Sequence, residues 1–139
     1  MTFNSQTCII LENFSIKLFR VLNEGGVSMA RSKMIRDPIY GYITLAKDFS
    51  ALVDTAEFQR LRNIRQTGYQ ALYPSALHNR FVHSLGVFYL GGKAIKYFKE
   101  NISKEIPDCL NKNWEKIEIT FLAACLLHDV GHSPFSHTG

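Results

Sequence analysis

The sequence predicts an all-α chain, a helical bundle interrupted by one short β-ribbon near residues 38–46. Three observations carry this expectation. Residues 52–66, 79–99 and 114–129 each repeat apolar side chains at helical spacing. The run Ile39-Tyr40-Gly41-Tyr42-Ile43-Thr44-Leu45 is instead β-rich and alternates with a period of two. Glycine, proline and asparagine clusters separate these segments, and neither repeats nor low-complexity tracts occur.

Taken in order, residues 9–22 could form a short amphipathic helix, closed by the breaker Asn23-Glu24-Gly25-Gly26. A second reading makes Met29 the initiator and residues 1–28 an in-frame upstream extension, because Glu-Gly-Gly can be encoded by a purine-rich run. Sequencing the N-terminus of the native protein separates the two. Asp37-Pro38 then opens the extended segment that becomes the ribbon. Residues 52–66 read as one helix, with Val53, Ala56, Phe58, Leu61 and Ile64 as its buried stripe and Arg60, Arg62 and Arg65 on other faces. Gly68 and Tyr73-Pro74-Ser75 mark a loop. The helix 79–99 carries Phe81, Leu85, Phe88, Leu90, Ile95 and Phe98. Pro107 and Asn111-Lys112-Asn113 connect it to a third helix, residues 114–129, which is apolar nearly all round from Ile119 and should be central. Gly131 stops that helix, and Ser133-Pro134 resembles the cap and first turn of another.

With 46% hydrophobic and 20% charged residues in 139, the chain has the composition of a globular domain rather than a disordered one. A net charge of +4 suits anionic partners, nucleotides or nucleic acid, though solubility explains it equally well. Cys8, Cys109 and Cys125 lie far apart, which disfavours a thiolate zinc site or a disulfide framework and fits a reducing, cytoplasmic setting. The longest apolar run, Phe121 to Leu127, falls far short of the roughly 20 residues a membrane helix needs, so no membrane association is expected.

The chemistry concentrates in the histidines. His128-Asp129 follows seven apolar residues, so a carboxylate should lie at the end of a buried helix. Such a group costs several kcal/mol unless paired or ligated. A divalent metal would satisfy both side chains; for the dipeptide alone, a His-Asp hydrogen bond at a helix end serves as well. His83 sits on the neighbouring long helix, and two helices can bring it to His128 and Asp129 within a bundle core. His132 and His137 follow closely enough to act as acid–base groups over such a metal. Arg80, three residues before His83, shares its side of the helix and offers a fork for phosphate. His78 reads as a loop histidine without a role. Metal, imidazoles and an arginine together describe hydrolysis of a phosphate ester.

The run His128-Asp129-Val130-Gly131-His132-Ser133-Pro134-Phe135-Ser136-His137, with the earlier His83, resembles the signature of the HD-domain superfamily. Asp37-Pro38-Ile39-Tyr40-Gly41, Phe58-Gln59-Arg60-Leu61-Arg62 and His78 through Val87 narrow the resemblance to its dNTP triphosphohydrolase branch. That branch contains bacterial dGTPase-like enzymes and the SAM-and-HD-domain dNTPases of animals. The resemblance runs from about residue 33 to the last residue and implies an all-α HD-domain helical bundle. It implies a divalent metal (iron, manganese, zinc, nickel and magnesium are not distinguished) held by His83, His128, Asp129 and a later Asp. It further implies His132 and His137 near the α-phosphate as catalytic groups, Arg80 on phosphate and Gln66 near the deoxyribose. Water would attack the α-phosphorus to release a deoxynucleoside and tripolyphosphate. Lys33, Asp54, Gln59 and Arg62 correspond to an allosteric guanine-nucleotide site between subunits, which implies a homo-oligomer. Without the family, Asp54 and Arg62 read equally well as members of a surface ion pair on a helix.

One departure stands out. None of Asp48, Asp54 or Asp108 suits the fourth ligand position. The expectation is therefore that residues 29–139 form the N-terminal part of an HD phosphohydrolase domain whose C-terminal part is missing, weakly active or inactive alone, with the apolar face of helix 114–129 exposed. The competing functions are an HD phosphohydrolase for another nucleotide or phosphomonoester, and a non-catalytic nucleotide- or nucleic-acid-binding module built on Arg60, Arg62, Arg65, Lys93 and Lys96.

Overall fold

The computed structural model describes residues 31–67, 72, 74–102 and 113–132. The expected helix over 9–22, the Met29 start, the 107–112 connector, His137 and the Ser133-Pro134 helix start lie outside these residues.

The chain enters through an antiparallel ribbon, β1 (Lys33–Asp37) and β2 (Gly41–Leu45), with Ile35 opposite Ile43 and Asp37 opposite Gly41. The ribbon thus starts earlier than the sequence suggested. Pro38 does not open a strand; it lies in the turn between two. Asp37 explains why. Its Oδ1 accepts from the backbone N–H groups of Ile39 (2.8 Å) and Tyr40 (2.9 Å), an Asx-type arrangement that reverses the chain. Gly41 completes the reversal at φ +77°, a conformation glycine adopts without steric cost. Alternation along β2 then buries Ile43 and Leu45 and leaves Tyr42 and Thr44 outside.

The single helix expected over 52–66 is in fact three short pieces. These are α1 (Lys47–Val53), α2 (Ala56–Gln59) and a 3₁₀ turn (Arg60–Asn63). Thr55 causes the break. It is extended, its hydroxyl accepts from the Phe58 N–H at 3.3 Å, and the same hydroxyl donates to the Leu52 carbonyl at 2.7 Å. One threonine therefore closes α1 and caps α2. Most of the apolar stripe survives the break, since Val53, Phe58, Leu61 and Ile64 are buried, but Ala56, expected in the stripe, is exposed in the first turn of α2.

Two longer helices complete the described structure: α3 (Arg80–Ile102) and α4 (Trp114–Leu127). They run antiparallel. Phe98 stacks on Trp114 at one end (centroids 5.9 Å apart, planes 3° apart), Gly91 meets Cys125 midway, and His83 faces His128 at the other end. The core gathers Ile43 and Leu45 from the ribbon, Phe49 and Val53 from α1, Phe58, Leu61 and Ile64 from the middle segment, and Phe81, Leu85 and Phe88 from α3. From α4 it takes Ala123 and Leu126. Helix α4 is less central than its composition suggested. Trp114, Thr120, Ala123 and Leu126 are buried, whereas Phe121 is 40% exposed.

Gly91 sets how closely α3 and α4 approach. A Cβ there would lie 2.8 Å from the Cys125 sulfur and 3.4 Å from both Cys125 Cβ and Phe121 Cε1. Overpacking of this kind costs roughly 1–3 kcal/mol, offset in part by the roughly 1 kcal/mol that alanine gains over glycine inside a helix. Gly91→Ala should therefore lower the unfolding free energy in urea by about 1 kcal/mol, and adding Cys125→Ala should restore it. Equal stability of Gly91→Ala and the parent would show that the helices do not need this close approach.

Candidate metal centre

Where α3 begins and α4 ends, three potential ligands converge. His83 lies in the first turn of α3; His128 and Asp129 follow the last turn of α4, in a turn closed by Val130 N–H to Leu127 carbonyl (3.0 Å) and His132 N–H to Asp129 carbonyl (3.0 Å). The sequence expected α4 to run through Asp129; it stops two residues sooner, and the resulting turn aims Asp129 inward. His83, His128 and Asp129 each offer one ligand atom, and all three lie within 4.8 Å of one another. The Nε2 atoms of His83 and His128 are 3.2 Å apart, His83 Nε2 is 3.8 Å from Asp129 Oδ2, and His128 Nε2 is 3.6 Å from Asp129 Oδ1.

These separations fit a metal ion. Nitrogen and oxygen ligands bound at about 2.0–2.2 Å lie roughly 3–3.6 Å from one another around a shared ion, so the 3.2 and 3.6 Å separations match and the 3.8 Å one is slightly longer. The imidazole orientation fits as well. His128 Nδ1 lies 2.9 Å from the Cys125 carbonyl, which can only accept, so Nδ1 carries a proton and Nε2 is the nitrogen turned to the centre. The centre also lies at the C-terminus of α4, where the helix dipole favours positive charge.

Asp129 is buried at 6% exposure, as the apolar run before it predicted, whereas His128 is exposed and His83 half-buried. The carboxylate has a direct partner. Arg80 Nη1 donates to Asp129 Oδ2 at 2.7 Å, and Arg80 is itself only 4% exposed. The sequence assigned Arg80 to phosphate; the structure places its guanidinium on Asp129, forming a buried ion pair between the first residue of α3 and the turn after α4. Burial alone pushes the Asp129 carboxyl up, but the Arg80 hydrogen bond and the charges of His128, Arg80 and His132 outweigh it and hold the group below the usual Asp value. Burial also lowers the His83 pKa, opposed by Asp129 and reinforced by His128, Arg80 and His78. Both shifts favour the ligating forms, a carboxylate and a neutral imidazole, near neutral pH.

His132 Nε2 lies 3.6 Å from Asp129 Oδ1, on the metal-facing turn. Gln66 is partly buried, its N–H donates to the His78 carbonyl at 3.3 Å, and its Oε1 accepts no hydrogen bond among the described residues. His78 is exposed but lines, with His83, Tyr40 and Val82, a cavity of about 440 Å³ beside the centre. Lys33, Asp54, Gln59 and Arg62 form two pairs. Lys33 Nζ donates to both Asp54 carboxylate oxygens, and Arg62 Nε donates to Gln59 Oε1 at 2.8 Å. Arg62 also stacks over the Phe81 ring, 3.6 Å from its centroid. The surface pair of Asp54 is thus made with Lys33, not with Arg62.

Sequence reasoning placed Arg60 among the cations of a nucleotide- or nucleic-acid-binding face and missed the bond it makes within the fold. Its Nη2 donates to the Val130 carbonyl at 2.6 Å, tying the 3₁₀ turn to the turn that carries Asp129. No spacing rule connects positions 70 residues apart. The one available hint was a long cation in a segment whose neighbours Phe58 and Leu61 are core.

One histidine on a long helix, set against a His-Asp dipeptide that follows its antiparallel partner, makes a candidate metal centre in a mostly helical domain. Residues 80–139 match the family model of the HD domain. The chain is 39% identical over 123 residues to the deoxynucleoside triphosphate triphosphohydrolase SAMHD1 of Gallus gallus, covering 88% of this chain and 19% of that protein. It is 40% identical over 106 residues to the Homo sapiens SAMHD1, covering 76% of this chain and 16% of the relative. An uncharacterized protein of Methanocaldococcus jannaschii is 45% identical over 107 residues, 76% of this chain and 20% of the relative. The chain therefore spans about one fifth of the length of the curated relatives it matches. Among the described residues, no helix is long and apolar enough to cross a membrane.

Proposed function

We propose that this chain contributes the metal centre of a dNTP triphosphohydrolase, converting a dNTP to a deoxynucleoside and tripolyphosphate. The observation that carries the reading is the convergence of His83, His128 and Asp129 within 4.8 Å. Support comes from the relatives that are named deoxynucleoside triphosphate triphosphohydrolases. His83, His128 and Asp129 would hold a divalent ion, which when bound polarises a phosphoryl oxygen and lowers the pKa of water.

The chain's own residues account for the remaining requirements. Arg80 keeps Asp129 ionised and oriented through Nη1, and the other guanidinium nitrogens are what it would offer to a phosphate. His132, beside Asp129, and His137 supply protons. In the overall reaction a water oxygen bonds to the α-phosphorus as the bond to O5′ breaks, and a histidine proton passes to that O5′. Gln66, with a buried acceptor oxygen, suits a hydroxyl of the deoxyribose. The Lys33–Asp54 and Gln59–Arg62 pairs supply donors and acceptors for a guanine-nucleotide effector, in an assembly of several copies working in the cytoplasm.

The test incubates the natively expressed protein with Mn²⁺ and each dNTP in turn and resolves deoxynucleoside and tripolyphosphate by ion-exchange chromatography. Stoichiometric release of both, abolished in His128→Ala, is the expected result. Orthophosphate as the product, or release that persists in His128→Ala, overturns the reading. Hydrolysis of phosphomonoesters in its place would move the chain to another HD phosphohydrolase activity.

A further inference from the structure

Asp129 is held from one side by Arg80 and, through its own backbone, from another side by a residue far away in the sequence. The turn after α4 uses the carbonyls of Leu127 and Asp129 internally, accepting from Val130 N–H and His132 N–H. The Val130 carbonyl points out of that turn and receives Nη2 of Arg60 at 2.6 Å. Arg60 is well placed to act as an anchor. Its flanking side chains Phe58, Leu61 and Ile64 are buried at 0%, 0% and 3% exposure. The same segment is stitched to the start of α3, because Asn79 Nδ2 donates to the Arg62 carbonyl (3.0 Å) and Arg80 N–H donates to the Ile64 carbonyl (2.8 Å). Residues 60–64 therefore touch both halves of the centre: α3, which brings His83 and Arg80, and the turn that brings His128 and Asp129.

We infer that Arg60 is a positioning residue for the metal centre, fixing the His128–His132 turn against α3 by its hydrogen bond to the Val130 carbonyl. The inference rests on the metal-binding reading of His83, His128 and Asp129. Arg60 contacts none of those three side chains among the described hydrogen bonds and ion pairs. Its effect passes through the backbone. Without the guanidinium, the Val130 carbonyl loses its cross-chain donor and the turn can rotate about the end of α4. The carboxylate and the His128 imidazole would then no longer share one point with His83. Partners that orient metal ligands change affinity by roughly 10- to 100-fold when lost.

The test compares the parent chain, Arg60→Met and Arg60→Lys by Mn²⁺ titration followed by electron paramagnetic resonance, and by amide hydrogen exchange without metal. Arg60→Met should bind Mn²⁺ about tenfold more weakly, and Arg60→Lys, which keeps one donor, should recover most of that loss. Exchange in Arg60→Met should accelerate at Val130 and His132 while Leu85, inside α3, stays protected. Unchanged Mn²⁺ affinity in Arg60→Met overturns the inference. Exchange that rises equally at Leu85 and at Val130 also overturns it, because the residue is then merely structural. If the parent chain binds no Mn²⁺, the metal-binding reading fails and the exchange pattern alone decides whether Arg60 holds the turn.

Discussion

Asp129→Ala is expected to lower the unfolding free energy of the metal-free chain by about 3–5 kcal/mol, the range for breaking a buried ion pair by removing one partner. The reason lies in what is left behind. Arg80 is 4% exposed, and its guanidinium would remain beneath the helix pair without the carboxylate that accepts from it at 2.7 Å. Arg80→Met should be comparably damaging, since it leaves Asp129 charged and buried at 6% exposure. The double variant Arg80→Met/Asp129→Leu should recover most of the loss, because two apolar side chains of similar size need no counter-charge. Urea unfolding of the four proteins gives the coupling directly. Losses that simply add, with no recovery in the double variant, would show that the two groups do not depend on each other. Mn²⁺ binding should vanish in Asp129→Ala and in the stable double variant alike, which separates the role of the carboxylate as ligand from its role in stability.

Phe58→Ala should have an effect of the same size for a different reason. Phe58 is fully buried and meets Phe81 edge-on, with centroids 5.4 Å apart and planes at 69°. Truncation removes a large apolar side chain from the point where α2, the 3₁₀ turn and α3 join, leaving a cavity the short segments cannot fill without moving. Losses of about 3–5 kcal/mol are typical of such changes. Phe58→Leu should recover a substantial part of the loss by filling most of the volume. If Phe58→Ala is nearly neutral in urea, the 56–63 segment is not packed into the core as described.

The parts of this molecule that follow from periodicity were readable in advance. Of the expected stripe, Val53, Phe58, Leu61 and Ile64 are buried as their spacing indicated and Ala56 is not, because Thr55 breaks the helix that was expected to carry them. Burial depends on which side chains point inward, and the break preserves that for those four. The break itself depends on a hydroxyl choosing between two backbone partners, which composition does not reveal. Likewise Ile43 and Leu45 were expected inside, but the position of the partner strand before Pro38 depended on the Asp37 side chain folding back on the turn. That His83, His128 and Asp129 come together was legible because an acid after seven apolar residues demands compensation. That Arg80 provides it could be reached only by placing the two helices antiparallel. Arg60 and Val130 lay beyond reach, since one partner of that bond is a backbone carbonyl and carries no residue identity.

The antiparallel pairing of α3 and α4 has one more consequence, in chain entropy. His83 and His128 are 45 residues apart, and an ion bound to both would tie off the intervening chain as a closed loop. Restricting the unfolded chain in this way raises stability by an amount that depends only logarithmically on loop length. Doubling the number of residues between the two histidines would change the closure term by only about 0.6 kcal/mol. The stretch between α3 and α4 is thus a place where length can vary while the two ends of the clasp keep their register.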